Sequence, residues 1–424
     1  MIKIYNTENM SVSDILPRDS ERPDVSGAVA EIIANVRKNG DAALKEYGLR
    51  FDGAAPSPLE LTQDERKNAL TKVEPEFVEI LKEAAENIKS YHSRQLRQGY
   101  IIQEKEGIIL GQKVTPLKSV GLYIPGGTAS YPSSVLMNCI PAKLAGVSQI
   151  VMATPPDRNG CISPNIIAAA EIAGVDRIFK CGGAQAIAAL AYGTKSVPKV
   201  DKIVGPGNTY VAEAKRQVFG LVGIDMIAGP SEVLIIADSK SDPIVLAADL
   251  LSQAEHDRLA TAVLITDSKE LAEKLAVELE NQLQKLPREE IARASIENNG
   301  KVIITSSLEE AIEISNEIAP EHLEICVDEP FDYLDKITNA GSIFLGRNCP
   351  EPLGDYFAGT NHTLPTGGTA KFSSPLSVDD FVKKSSYMYY SKEELDTVGD
   401  KIAYFADKEG LHAHAVSATI RSGR

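Results

Sequence analysis

Histidines and acids in the second half of the chain are the residues whose types and spacing could carry chemistry. Gln253 and His256 are three positions apart, so on a helix their side chains would lie one turn apart on one face. Such a pair could converge on a metal ion or on a substrate. A surface helix with polar neighbours is the alternative interpretation.

Glu321 and His322 form a second candidate pair, immediately ahead of the strand-like run Leu323–Val327. A carboxyl group beside an imidazole supplies two proton-transfer groups of different pKa, although a single Glu-His dipeptide is also ordinary sequence. Asp355 and His362 lie among glycines. These turns could present a carboxylate or an imidazole rigidly, or they could be plain loop.

His412 and His414 are two positions apart near the C-terminus. On a helix they would point in nearly opposite directions, whereas on a strand they would share a face. An aspartate with two or three histidines suits zinc, which accepts nitrogen and oxygen ligands; glutamine is a rare zinc ligand. The five cysteines are odd in number and include no Cys-x-x-Cys pair, so they predict neither a disulfide framework nor a thiolate zinc site.

Three glycine turns follow strand-like runs and precede helix-like segments: Leu122–Gly127, Cys181–Gln185 and Gly205–Asn208. Free N–H groups at a helix N-terminus attract phosphate, and ligands of open α/β sheets gather at the carboxyl ends of strands. Tight turns that use glycine for its positive φ are the alternative. Tyr210 stands where the third glycine of the dinucleotide fingerprint belongs, and the sequence contains no Walker A loop.

Short apolar runs that alternate with helical segments must position these residues. The predicted strands are Val120–Ile124, Ile150–Ala153, Arg177–Lys180, Lys202–Val204, Val233–Ile236, Ala262–Ile265, Lys301–Ile304 and Ser342–Leu345. This alternation favours parallel sheets covered by helices on both faces. The predicted fold class is therefore α/β, with two Rossmann-like domains, an N-terminal helical segment and a C-terminal helical tail.

Composition excludes several classes of protein. Of the 424 residues, 43% are apolar and 24% are charged, with 44 basic against 59 acidic residues and a net charge of −15. An acidic chain is not expected to bind nucleic acid or an anionic membrane. The sequence shows no secretory signal and no apolar run long enough to cross a membrane. We expect a cytoplasmic protein.

Eight motifs, taken in this order, resemble the histidinol dehydrogenase family. They are Gly121–Gly127, Gly182–Ala188, Gly205–Asn208, Ala228–Val233, Leu251–His256, Ala319–Leu323, Gly354–Tyr356 with Gly359–His362, and Glu409–His414. The resemblance runs from about residue 110 to the C-terminus and is looser before that.

The resemblance implies a zinc enzyme that converts L-histidinol and two NAD⁺ into L-histidine and two NADH through a histidinaldehyde. It implies one zinc ion per subunit, held by Gln253, His256, Asp355 and His414. His322 would be the general base and Glu321 its acid/base partner for the water step. The implied substrate contacts are Ser231, Gln253, His256, His322, Asp355, Glu409 and His414. Tyr123, Gln185 and Asn208 would line the NAD site.

The resemblance also implies a domain plan and a partner. Residues 1–20 would be an N-terminal arm, and 108–231 an α/β domain that binds NAD. Residues 21–107 with 232–376 would form a discontinuous α/β domain that carries the metal and substrate residues. Residues 377–424 would be a helical tail for dimerisation. The family forms intertwined homodimers with shared active sites, so Glu409 and His414 would serve the partner's site.

Two other functions remain compatible with the residues alone. A zinc hydrolase would use the metal to activate water, with Glu321 or His322 as base. A non-catalytic module would bind the metal or a nucleotide without turnover. The hydrolase needs no NAD, which separates it from the dehydrogenase. The sequence assigns no role to His362 or His412.

Overall fold

The structure, a computed structural model, describes residues 1–7, 15, 24–126 and 130–422. Most of the predicted N-terminal arm, and Gly127 of the first glycine turn, therefore lie outside the described residues. The chain divides into two compact units: Met1–Gln95 with Lys118–Phe381, and Leu96–Leu117 with Val382–Arg424. Each unit is described by itself below.

The elements are numbered along the described chain. The strands are β1 (Lys3–Asn6), β2 (Tyr100–Lys105), β3 (Ile108–Pro116), β4 (Ser119–Tyr123), β5 (Gln149–Thr154), β6 (Arg177–Lys180), β7 (Lys202–Val204), β8 (Gly223–Ile224), β9 (Glu232–Ala237), β10 (Thr261–Thr266), β11 (Lys301–Ile304), β12 (His322–Cys326), β13 (Ser342–Leu345) and β14 (Val382–Tyr390). The α-helices are α1 (Ser26–Asn39), α2 (Asp41–Tyr47), α3 (Gln63–Leu70), α4 (Pro75–Ser93), α5 (Pro132–Ala145), α6 (Pro164–Ala173), α7 (Gly183–Tyr192), α8 (Thr209–Val218), α9 (Pro243–Ala254), α10 (Lys269–Leu283), α11 (Glu289–Asn298), α12 (Leu308–Ile318), α13 (Phe331–Leu334), α14 (Glu351–Tyr356), α15 (Lys392–Lys408) and α16 (His412–Thr419).

A six-stranded parallel sheet lies in the first unit, in the order β1-β11-β10-β9-β12-β13. Its central strands are buried on both faces, as their continuous apolar sequences predict. Alternate residues of β9 show this: Val233 and Ile235 pack with α9, α10 and α11, whereas Leu234 and Ile236 pack with α12. The predicted strands of this region are confirmed.

A five-stranded parallel sheet, in the order β6-β5-β4-β7-β8, completes the framework of the first unit. The chain starts in the middle at β4, moves outward to β6, and returns to the other side of β4 at β7. The strand order therefore reverses between β4 and β7, and the carboxyl ends of strands at such a reversal are the usual ligand position in these sheets.

The N-terminal helices lie against the helices of this five-stranded sheet. Helices α1 and α2 pack on α7 and α8, and α3 and α4 pack on α5 and α6. Val29, Ile33 and Leu44 share an apolar core with Ile187 and Leu190, which explains the packing. The predicted domain plan, which groups residues 21–107 with 232–376, stays a prediction.

The predicted helical stretch Glu270–Glu297 is two helices, α10 and α11. Pro287 lies in the connection, and a proline disfavours helical geometry in the residue before it. Among the described residues, no helix combines the length and the apolar character needed to span a membrane.

The second unit contains an antiparallel sheet in the order β14-β3-β2, followed along the chain by α15 and α16. The sequence analysis predicted the helical character of the tail but none of these three strands. Lys383, Lys384, Ser385 and Ser386 interrupt the apolar pattern of β14, so no buried face is visible in its sequence.

Candidate active site

His322 is the first residue of β12 and lies at the amino edge of the six-stranded sheet, between β9 and β13. Its Nδ1 is 2.9 Å from the backbone carbonyl oxygen of Glu232. A carbonyl oxygen only accepts hydrogen bonds, so Nδ1 carries a proton and Nε2 holds the lone pair of the neutral ring. Nε2 is buried and has no hydrogen-bond partner among the described residues. It is therefore available as a base.

Glu321 is buried beside this imidazole, with its Oε2 3.8 Å from Nδ1 of His322. The backbone amide of Glu232 donates to the same oxygen at 2.8 Å. Burial raises the pKa of Glu321 to about 8, although the neighbouring imidazole lowers it. A carboxyl group with a pKa near neutrality can both give and take a proton.

The backbone around Glu321 requires a small residue on the adjacent chain. A Cβ at Gly341 would lie 2.5 Å from the carbonyl oxygen of Glu321. That carbonyl accepts a hydrogen bond from the amide of Ser342 at 2.8 Å. Gly341 therefore lets β13 approach closely enough to fix the position of the acid–histidine pair.

Glu351 and Asp355 lie one turn apart on α14 and both face His322. Their carboxylate oxygens are 3.9 Å and 4.0 Å from Nε2 of His322, and the three side chains form a possible metal-binding group. The sequence analysis expected a glycine turn or loop at Asp355 and missed Glu351. The signal was their four-residue spacing, which places both on one face only if the segment is a helix.

Burial raises the pKa of Glu351 to about 7, with His322 lowering it and Asp355 raising it. The hydroxyl of Ser252 donates to Oε2 of Glu351 at 3.0 Å, whereas Oε1 has no partner in the described chain. Burial opposes the charge on His322, but Glu321, Glu351 and Asp355 together raise its pKa above the usual value. The site thus gathers three carboxyl groups around one imidazole.

Gln253 and His256 reach this region from α9. Gln253 is fully buried, and neither of its side-chain amide atoms has a hydrogen-bond partner among the residues described. The helix ends at Ala254, so His256 lies in the turn beyond it, where its amide donates to the carbonyl of Gln253 at 3.2 Å. Loss of hydration lowers the pKa of His256, while the nearby Asp355 raises it.

His362 supports Asp355 from a second direction. Its Nδ1 lies 3.2 Å from the carbonyl oxygen of Asp355 and 3.7 Å from that residue's Oδ1, and its Nε2 is 3.3 Å from Oγ of Ser134 on α5. Burial lowers the pKa of His362. His362, to which the sequence assigned no role, therefore holds Asp355 in place.

The atoms without partners test whether a metal fits here. Buried polar atoms are almost always hydrogen-bonded. Both amide atoms of Gln253, Nε2 of His322 and Oε1 of Glu351 break this rule on neighbouring elements. Nitrogen and oxygen donors of this kind match the ligands of zinc, so the residues present fit the ion.

A second group of predicted residues lies at the carboxyl edge of the five-stranded sheet. Tyr123 ends β4, and its hydroxyl oxygen accepts a hydrogen bond from the amide of Gly183 at 3.0 Å. Burial raises the pKa of Tyr123 to about 12, so the phenol remains protonated. Gln185 is buried on α7, two residues after that glycine. The structure thus brings Tyr123 and Gln185 together.

Asn208 caps the N-terminus of α8 through its side-chain oxygen, which accepts from the amides of Tyr210 at 3.1 Å and Val211 at 3.2 Å. Gly205 precedes it with φ +115°, and a Cβ there would lie 2.1 Å from the carbonyl oxygen of Tyr123. Only glycine can bring the two strand ends this close.

The remaining predicted residues are spread between the two units. Ser231 immediately precedes β9 and is half-buried; its carbonyl accepts from the amide of Thr261 at 3.0 Å. Glu409, His412 and His414 belong to the second unit, where all three are exposed. Both histidines lie on α16, so they point in different directions.

Comparison with known proteins gives one consistent result. The sequence model of the histidinol dehydrogenase family matches residues 17–422. Curated histidinol dehydrogenases from Clostridium acetobutylicum and Bacillus cereus are 56% identical over 401 residues and 60% identical over 393 residues. These matches cover 95% and 93% of this chain, and 93% and 91% of the respective relatives.

The crystal structure of histidinol dehydrogenase from Elizabethkingia anophelis superimposes with a TM-score of 0.93 at 39% identity, covering 99% of this chain and 98% of that one. A family match over nearly the whole sequence, with the same architecture, decides the assignment. The chain belongs to the histidinol dehydrogenase family.

Proposed function

We propose that this protein oxidises L-histidinol to L-histidine in two steps, with two NAD⁺ consumed and a histidinaldehyde held between the steps. The chain is an NAD-dependent oxidoreductase of the histidinol dehydrogenase family, which acts in the final steps of histidine biosynthesis. The observation that carries the mechanism is the buried pair Glu321–His322, whose free Nε2 faces the carboxylates of Glu351 and Asp355.

We propose one zinc ion per subunit, held by Gln253, His256, Asp355 and His414. Bound zinc would supply a template for the imidazole and amine nitrogens of histidinol. The amide of Gln253 is buried and has no hydrogen-bond partner within the described part of the chain, which supports its role as a ligand. Ser231 and Glu409 would complete the substrate contacts.

His322 would act in the first oxidation. Its Nε2 takes the hydroxyl proton of histidinol as the carbinol carbon loses hydride to NAD⁺. The hydrogen bond from Nδ1 to the carbonyl of Glu232 keeps the lone pair on Nε2 and fixes the ring. The alcohol thereby becomes an aldehyde.

Glu321 would act in the second oxidation. Its carboxylate would take one proton from water as the oxygen adds to the aldehyde carbon, and would return that proton to the former aldehyde oxygen, which yields a hydrate. The hydrate would then lose a second hydride to NAD⁺ and release its two hydroxyl protons, and the product is the carboxylate of histidine. A pKa of about 8 for Glu321 suits this exchange near neutral pH.

Tyr123, Gln185 and Asn208 would bind NAD⁺, with residues 108–231 as the NAD-binding domain. The reversal of strand order at β4 and β7 supports this position, because dinucleotides bind at such reversals. Residues 21–107 with 232–376 would then carry the metal and the substrate.

The stoichiometry of NADH tests the function. We expect two NADH for each L-histidinol consumed, and only after chelator-treated protein is resupplied with zinc. The measurement is absorbance at the NADH band against residual substrate. One NADH would mean an alcohol dehydrogenase that releases the aldehyde. No NADH, with metal and NAD⁺ present, would favour a zinc hydrolase.

We also propose a homodimer whose active sites are shared between subunits. The second unit exposes large apolar side chains, including Ile101 at 69%, Met388 at 71% and Phe405 at 68%. Surfaces of this kind usually mark interfaces. Glu409 and His414, on the same unit, would enter the partner's site.

Mixed dimers test this sharing. When His322→Ala and His414→Ala proteins are unfolded together and refolded, random pairing should restore about a quarter of wild-type activity, because half of the dimers gain one intact site. Each variant refolded alone is the control. If His414 serves its own subunit, mixing restores nothing.

A further inference from the structure

Lys215 and Asp225 form an ion pair that is almost completely buried, with side chains 2% and 1% exposed. Lys215 lies on α8, and Asp225 directly follows β8. Burying two charges is costly unless they are paired and their hydrogen bonds are satisfied. The hydrogen bonds of Lys215 and Asp225 therefore decide whether the pair is stable.

The pair holds both backbone polar groups of one residue, Gly205. Nζ of Lys215 donates to the carbonyl oxygen of Gly205 at 3.0 Å, and Oδ2 of Asp225 accepts from the amide of Gly205 at 2.7 Å. The other carboxylate oxygen accepts from the amide of Met226 at 2.7 Å. The backbone amide and the backbone carbonyl of Gly205 are therefore each bonded to a buried charged group.

Gly205 opens the turn that connects β7 to α8; it has a positive φ and lies one residue beyond the end of β7. Helical side chains tilt toward the N-terminus of their helix, which lets Lys215 reach back along α8 to this turn. The same helix begins at its cap, Asn208. The ion pair thus locks the turn and the start of the helix as one body.

We propose that Lys215 and Asp225 are positioning residues that hold the Gly205–Asn208 turn in the conformation that binds NAD⁺. The inference rests on the proposed NAD site at Tyr123, Gln185 and Asn208. The pair touches no substrate; it acts by keeping a binding surface pre-organised, so that ordering the turn does not weaken binding.

The test uses the full-length, zinc-loaded protein with Lys215→Met and with Lys215→Met/Asp225→Val. We expect the dissociation constant for NAD⁺, measured by calorimetry, to rise about 10- to 100-fold in both, the scale set by small misplacements of binding groups. Zinc content and the KM for L-histidinol should stay at wild-type values. The double variant removes both charges, so it keeps no unpaired charge that would prevent folding.

Lys202→Met is the matched control, because Lys202 pairs with Asp380 at 2.9 Å at the other end of β7. It should bind NAD⁺ as the wild type does. A folded double variant with unchanged NAD⁺ affinity would overturn the positioning role and leave the proposed function intact. An equal loss of NAD⁺ affinity in Lys202→Met would do the same. Wild-type protein that oxidises no L-histidinol and binds no NAD⁺ would overturn both this role and the proposed function.

Discussion

Replacing His322 with alanine is expected to lower the turnover number for L-histidinol about 10²- to 10⁴-fold, the usual contribution of a positioned general base. The reason is geometric: Nδ1 is committed to the carbonyl of Glu232, so Nε2 is the only ring nitrogen that can take the hydroxyl proton. His322 is only 4% exposed, so bulk water cannot replace it as the acceptor of the substrate's hydroxyl proton.

The same variant should retain its metal, and this separates a base from a ligand. Turnover and zinc per chain, by steady-state kinetics and atomic emission, are measured on one preparation. His412→Ala is the control, since His412 is exposed and its Nδ1 lies 3.3 Å from a carboxylate oxygen of Asp407, which is not one of the residues proposed to hold zinc. If His322→Ala loses zinc in parallel with activity, His322 is a ligand and the division of roles is wrong.

Replacing His256 with alanine is expected to remove zinc and, with it, about 10³-fold or more of the activity, because the ion contributes several kcal/mol to orienting and stabilising the reacting groups. His256 lies in the turn after α9, so truncating it should leave the helix and the buried Gln253 in place. The readout is zinc retained after dialysis at fixed free zinc, with a thermal unfolding scan to show that the chain is folded.

Added zinc should restore part of the activity of His256→Ala and all the activity of chelator-treated wild-type protein. The His412→Ala variant should keep zinc and activity through the same dialysis. A fully active His256→Ala protein with normal zinc would show that the ion is bound elsewhere, for example by His322, Glu351 and Asp355 alone.

The predicted parallel strands were accessible from sequence because most of them are short apolar runs, and the central ones are buried on both faces. Strand β9 is an example, with Val233 to Ile236 all buried. Strands β2, β3 and β14 were not predictable in this way, since each mixes apolar with polar residues and is mostly exposed or half-buried within its unit. The family assignment, made on motifs, is confirmed by the comparisons.

The site was predictable residue by residue only where motifs existed. The sequence analysis missed Glu351 and assigned no role to His362, because both roles depend on the folded structure. Glu351 shares a helix face with Asp355, and the ring of His362 contacts the backbone carbonyl of Asp355. The spacing of these residues along the sequence could not show that the possible metal-binding group of His322, Glu351 and Asp355 lies at the amino edge of a parallel sheet. Such sheets usually bind ligands at the opposite edge. The ligand set and the NAD contacts stay predictions.

The pairing of β1 with β11 sets the order of events during synthesis. Lys3 lies opposite Lys301, so β1 is synthesised almost three hundred residues before its partner strand β11. At about 5–20 residues per second, that delay is roughly 15–60 s. Throughout it, β1 is an unpaired strand that other nascent chains can bind. Slower translation lengthens this exposure, so yield of folded protein should depend on elongation rate more than the stability of the finished sheet suggests.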